Sequence, residues 1–236
     1  MKITLLTGKI YDIKEAIGFD IIIKKSALAK RLSLRIDSKT RLPVLTIPKY
    51  CTNKAAIEFA KKNQVWIENT LLKIPEIKKF ESGDKISIFG QELIITHDST
   101  LKSGTFIQDS KLFVSGEQSF LHRRIKDFIK KEAKVKLTKL SKEKSALIDA
   151  KLKAVTIKDT KSRWGSCSTY KNINYSWRIS LAPMAVIDYL VSHEVAHLKH
   201  HDHSENFWNC VESLCPEHTK SKSWLQKYGK LLHAYE

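Results

Sequence analysis

The sequence is short of cysteine, proline and glycine, and it contains no long apolar run. Four Cys in 236 residues, at positions 51, 167, 210 and 215, form no CxxC pair. That number is low for a disulfide-stapled scaffold, so reduced thiols in a cytoplasm are the simpler expectation. Eight Gly and five Pro exclude collagenous and low-complexity chains. No apolar stretch approaches the roughly 18 to 20 residues that span a bilayer, so no membrane partner is expected. Met1 to Thr7 lacks a signal-peptide h-region with a small-residue cleavage site, in keeping with a cytoplasmic chain. No internal sequence repeat and no long linker interrupt it.

What the sequence has in excess is positive charge. Lys and Arg number 42 against 25 Asp and Glu, a formal net charge of +17. Hydrophobic residues at 42% and charged residues at 28% nonetheless match an ordinary globular protein rather than a disordered one. The length suffices for one large or two small domains with a real core.

Residues 1–116 read as a β-rich region with one helix. Apolar and β-branched runs occur at Phe19–Ile23, Leu32–Ile36 and Val44–Ile47. Thr52–Leu72 carries a helical pattern with Thr52 as N-cap. Strands resume at Lys85–Phe89, Glu92–Thr96, Thr105–Gln108 and Lys111–Val114. From Ser119 to about Lys144 a long amphipathic helix begins the second region, 117–236. It carries a net +7, the densest charge in the chain. Ala154–Lys158 is a strand, and Ser162–Ser168 with Ile173–Leu181 reads as a hairpin. Pro183 opens a helix that runs to about Leu198, and helices follow at Ser204–Leu214 and Lys220–His233. The fold class is therefore α+β, and the two regions can form one compact unit.

Six of the nine His lie between residues 193 and 218. His193-Glu194-Val195-Ala196-His197 is an HExxH motif within an amphipathic helix. A four-residue spacing turns by about 400°, so both imidazoles project from one face and can share a Zn²⁺. Glu194, beside the first ligand, can reach a water at the metal and take its proton. An isolated HExxH is weak, because helices contain it by chance. Here Val186, Ile187 and Leu190 mark the helix as buried, and bare His and Glu there need partners to offset desolvation. A catalytic zinc takes three protein ligands, and two candidates exist for the third. His203 has the offset of the third His in HExxHxxGxxH proteins, but His200 stands at the Gly position and no Met follows, so this is not a metzincin. Glu217 has a gluzincin-like offset but follows Pro216 at a helix break, and ranks second. For the developing oxyanion, His201 and Tyr228 are the candidate helpers.

Ser162-Arg163-Trp164-Gly165-Ser166-Cys167-Ser168, Ile173-Asn174-Tyr175-Ser176-Trp177-Arg178 and Val186-Ile187-Asp188-Tyr189-Leu190-Val191 together resemble the YgjP-like metallopeptidases. The likeness continues through His193–His197 and His203-Ser204-Glu205-Asn206-Phe207-Trp208, and is dense from about Val155 to Gly229. SprT-like and Wss-type zinc proteases and the minigluzincins are the wider relatives. The resemblance implies a zincin-like catalytic domain, its HExxH helix beside a small sheet. It also implies one catalytic zinc on His193, His197 and His203, with Glu194 as general base. Tyr175 and Ser176 depart from the common Leu-Asn and put no ligand in doubt.

Two further features call for a role. Trp164, Gly165 and Ser166 can form a sheet edge to which an extended substrate adds, Gly165 allowing close backbone approach; the alternative is that Trp164 packs the core. Phe207 and Trp208 are expected to pack the second helix against the metal helix. Arg123, Arg124, Lys130 and Lys131 of the basic helix can bind nucleic acid, but no aromatic residues interleave with them. Three functions therefore stand: a zinc endopeptidase acting on protein or peptide, a zinc-containing nucleic-acid-associated binding protein, and a zinc hydrolase of small amides. Nothing in the sequence fixes the oligomeric state.

Overall fold

The computed structural model describes residues 2–4, 10–12, 20–37, 40–72, 76–160 and 162–235. Phe19, assigned above to the first long strand, lies outside them, as do Met1 and 5–7 of the N-terminal stretch. The chain divides into two compact units, Met1–Ile74 and Pro75–Glu236.

In the first unit β1 (Lys2–Thr4) and β2 (Ile10–Asp12) pair antiparallel. A second sheet takes β3 (Ile22–Ser26), β4 (Ser33–Ile36) and β5 (Pro43–Pro48) in the order β3-β5-β4. Leu45 and Ile47 of β5 are buried with Ala56 and Ala60 of α1 (Asn53–Lys62). Thr52 caps that helix, its hydroxyl accepting from the Ala55 N–H at 3.2 Å. The single helix expected over Thr52–Leu72 is in fact two, because α2 (Gln64–Leu72) starts anew after Asn63. The Asn63 side chain donates to the Phe59 carbonyl at 2.8 Å and its N–H bonds back to Phe59 and Ala60. An Asn that competes for helix carbonyls in this way ends the run that periodicity alone would continue.

The second unit opens with β6 (Lys85–Ile88), β7 (Gln91–His97), β8 (Thr105–Gln108) and β9 (Lys111–Val114), ordered β6-β7-β9-β8. One short 3₁₀ turn leads into α3 (Leu121–Leu147). A third sheet follows, of β10 (Ala154–Lys158), β11 (Gly165–Cys167) and β12 (Asn172–Ser176) in the order β10-β12-β11. A 3₁₀ turn over Trp177–Leu181 then delivers α4 (Met184–Ala196), α5 (Glu205–Leu214) and α6 (His218–Leu232). The architecture is thus mixed α+β with a β-rich N-terminal region.

The division between units falls at 74/75, whereas composition suggested 116. Ile86, Ile88, Leu93, Ile95, Leu112 and Val114 of β6–β9 share one core with Leu121, Ile125, Ile129 and Leu137 of α3 and with Ile187, Leu190 and Val191 of α4. A boundary requires few contacts across it, and this sheet has its apolar face against the helices that follow it.

One strand pattern recurs. In β3-β5-β4, β7-β9-β8 and β10-β12-β11 the third strand in chain order is central, parallel to the first and antiparallel to the second. Buried ion pairs tie the elements behind the third sheet. Arg178, 1% exposed, places its Nη1 2.5 Å from Asp159 Oδ1 and donates through Nε to the Tyr235 carbonyl. Lys144 of α3 bonds Asp188 of α4 at 2.9 Å and the Leu214 carbonyl at the end of α5 at 2.8 Å. A charge this buried needs such a full set of partners.

Candidate metal centre

Helix α4 is apolar around much of its circumference, and Val186, Ile187, Leu190, Val191 and Val195 are buried. Burial on several sides fixes its rotation, so the last turn presents His193 and His197 in one direction. The helix ends at His197, and Lys171 at the tip of the β11–β12 hairpin donates its ammonium to the Leu198 carbonyl there. Such a cation satisfies carbonyls that have no partner inside the helix. The chain then turns back. Asp202 Oδ1 accepts from the Ser204 hydroxyl at 2.7 Å and from its N–H at 3.3 Å, fixing His203 between them just before α5.

The three imidazoles meet. One ligand atom from each lies within 4.8 Å of the other two, and His193 Nε2 stands 3.4 Å from His203 Nε2. A tetrahedral ion with metal–nitrogen bonds of roughly 2.0–2.1 Å separates its ligand atoms by about 3.3 Å, so the donor set fits such an ion. His197 Nδ1 lies 2.9 Å from the His200 carbonyl. A carbonyl only accepts, so Nδ1 carries the proton and Nε2 keeps its lone pair for the centre. Burial, then the charges of His197, His203 and Lys222, pushes His193 down to about 3. Burial likewise lowers His197 against the opposing bond to His200. Phe207, fully buried, backs all three rings at centroid distances of 5.0, 4.5 and 4.7 Å from His193, His197 and His203. Among the described residues this is the group of three or more ligating side chains that comes together. Glu217 is not in it; its carboxylate pairs with Lys220 on the exposed start of α6.

Glu194 is 4% exposed, and its Oε2 has no hydrogen-bond partner among the described residues. Burial raises its carboxyl to about 8, against the lowering charge of Arg163. Its other neighbour is the backbone of β11: a Cβ built on Gly165 would stand 2.5 Å from Glu194 Oε1 and 2.7 Å from Cδ. Glycine at 165 is required by this approach, since any side chain would occupy the carboxylate's place. Strand β11 pairs with β12 on one side and has no partner strand on the other among the described residues. Trp164 accepts from the Ser176 N–H at 2.8 Å and Ser168 donates to the Asn172 carbonyl at 2.9 Å. Alternation along an antiparallel strand therefore turns the backbone groups of Gly165 and Cys167 outward, along the free edge.

The other sequence candidates are placed as follows. The Trp164 indole stacks on His233 at 4.5 Å and lies over Gly229, the packing alternative. Ser166 accepts from Asn174 Nδ2 at 3.2 Å. Cys167 stays a thiol, pushed up to about 11 by burial and by Glu194. His201 and Tyr228 are exposed. On α3, Arg124 turns to Ser115 at 3.2 Å, Arg123 covers Phe120 at 4.8 Å, and Lys130 and Lys131 are half-buried and exposed. Lys126, Lys134 and Lys144 are committed to Asp159, the Val155 carbonyl and Asp188. Much of the helix's positive charge therefore serves the fold. Two neighbours of the centre escaped notice in the sequence. Tyr189, edge-on to His193 at 6.0 Å, sits four residues before it and was accessible to helical periodicity. Lys222, which lowers His193, comes from a different helix and had no local signal.

A family model for the YgjP-like, metallopeptidase domain matches residues 30–228. The chain belongs to the YgjP-like metallopeptidase family. That membership implies a metal-dependent peptidase, a protein or peptide substrate and a divalent metal. No curated protein matches the chain. Among solved structures it is similar to the metallopeptidase zymogen of Pyrococcus abyssi, abylysin, at 24% identity over 39% of this chain and 93% of that one. The TM-score of 0.35 is too low to establish a shared fold. No described helix is long and apolar enough to cross a membrane.

Proposed function

We propose that the chain is a cytoplasmic zinc endopeptidase in which His193, His197 and His203 hold the metal and Glu194 is the general base. The observation that carries this reading is the buried, unpartnered Glu194 carboxylate next to three converging imidazoles. Four free thiols suit a reducing compartment. A zinc ion held by three imidazoles supplies a Lewis acid and lowers the pKa of water toward about 7.

The chain's own groups do the rest. The outward N–H and C=O groups of Gly165 and Cys167 take an extended peptide as an added strand, which aligns its backbone beside Glu194. Glu194 accepts the proton of the attacking water and returns it to the leaving amine, so that hydrolysis ends with a free carboxylate and amine. Its apolar surroundings raise the proton affinity of the carboxylate, which strengthens it as the acceptor of that proton. Phe207 behind the imidazoles excludes water from their rear and holds their spacing.

The test pairs two variants with metal analysis. Glu194→Gln is expected to keep stoichiometric zinc and lose peptidase activity on a denatured protein. His203→Ala is expected to lose the zinc. Stoichiometric zinc in His203→Ala would sink the three-His assignment, and full activity in Glu194→Gln would remove the general base. Turnover confined to small amides would favour the hydrolase alternative. For the nucleic-acid alternative the decisive measurement is salt-sensitive binding that depends on Arg123, Arg124, Lys130 and Lys131.

A further inference from the structure

Lys222 lies on α6, one turn after His218, and both side chains contact the Trp208 indole. The Lys222 ammonium stands 4.0 Å from the indole centroid, and the His218 ring stacks on it at 5.9 Å and 23°. Trp208 in turn stands 6.0 Å from the rings of both His193 and His203. A lysine anchored on an indole face loses the mobility that usually dissipates a surface charge. The nearby acids are otherwise engaged: Asp202 accepts from Ser204, and Glu217 pairs with Lys220. None of the ion pairs among the described residues includes Lys222. Arg163, exposed, sits two residues before the glycine that abuts Glu194, and it too makes no ion pair with a described residue. Lys222 and Arg163 are therefore two cations close to the site that pair with no described carboxylate.

We infer that Lys222 selects substrates that carry a carboxylate side chain beside the scissile bond, so that the site prefers acidic peptide segments. This rests on the peptidase reading for the word scissile, but not for the binding itself. The ammonium is anchored on Trp208 rather than on an imidazole, so it meets a neighbouring substrate residue and not the carbonyl at the centre. A charge-assisted bond to a partly desolvated lysine discriminates Glu from Gln by about tenfold.

The experiment measures binding, on zinc-loaded Glu194→Gln protein that does not turn the ligand over. Labelled neutral peptides, each with one Gln replaced by Glu at successive positions, are titrated by fluorescence anisotropy. One or two adjacent positions are expected to bind about tenfold tighter as Glu, with the gap shrinking as salt rises. Adding Lys222→Met should abolish the gap, Lys222→Arg should keep it, and Lys222→Glu should transfer it to peptides carrying Lys. Zinc content and melting temperature of each protein confirm that the site is intact. Equal binding of Glu and Gln peptides at every position, or a gap that survives Lys222→Met, overturns the inference. If the gap depends on Lys222 but the wild-type protein cleaves no peptide, peptide hydrolysis fails and acidic selection stands.

Discussion

Replacing Gly165 by Ala tests the placement of Glu194 more directly than altering Glu194 itself. The added methyl carbon would lie 2.5 Å from Oε1 and 2.7 Å from Cγ and Cδ, where ordinary contact begins at about 3.5 Å. Backbone strain plays no part, because Gly165 is absent from the positive-φ glycines at 83, 90, 104 and 116. The carboxylate must therefore retreat by roughly 1 Å, and a misplacement of that size lowers a rate by about a hundredfold. That corresponds to about 2.7 kcal/mol of transition-state stabilisation. The fold should lose only about 1–3 kcal/mol, the usual penalty of overpacking. The imidazoles are not touched, so zinc stoichiometry should hold. Steady-state cleavage of a quenched fluorescent peptide, metal analysis and a thermal melt on one preparation separate the three effects. A variant with kcat/KM within twofold of wild type would refute the placement of Glu194. Loss of zinc alongside activity would show that the helix moves rather than the carboxylate.

Asp159→Asn tests the buried Arg178. Burial works against the Asp159 charge, but hydrogen bonds from Arg178 and Lys126 outweigh it and hold the carboxyl well below the usual range. The pair's contribution is therefore present above the unfolded value of about 4 and is lost as pH falls through the lower folded value. Urea unfolding should show the variant about 1–3 kcal/mol less stable at pH 7, with the gap narrowing toward pH 3; a gap independent of pH would contradict the ionised pair. Phe207→Ala removes the fully buried ring behind the imidazoles, and should lower stability by about 3–5 kcal/mol and weaken zinc affinity as well. Unchanged affinity in a competition titration with a chelator would mean that the ring packs α5 without holding the histidines.

The convergence of the three imidazoles was legible in the sequence to the extent that its geometry is local. His193 and His197 share a helix turn, and His203 follows after a turn too short to carry it away. The site's rear wall was legible too, since Phe207 and Trp208 adjoin His203 in the chain. What escaped depends on distant segments. Lys222 reaches the cluster only because α6 packs beside α4. The contacts divide the chain at 74/75 and not at the change in composition near 116, because composition says nothing about which helix a sheet will lean on. Asn63 broke a helix through a side-chain bond that an apolar period does not register. Trp164 was open to two roles in the sequence, and its stacking on His233 supports packing.

The strand order β10-β12-β11 has a consequence for how this enzyme could be blocked or inherited. The β11–β12 hairpin is local in the chain and complete without β10, which docks only on its far flank. Had β10 added to β11 instead, the same residues would make the same three-stranded sheet with that edge already paired. The free edge of β11 is thus a property of connectivity and not of any side chain. An ordinary side-chain replacement leaves that edge unpaired, and an extended segment brought close at high local concentration, this protein's own or another's, meets its outward N–H and C=O groups.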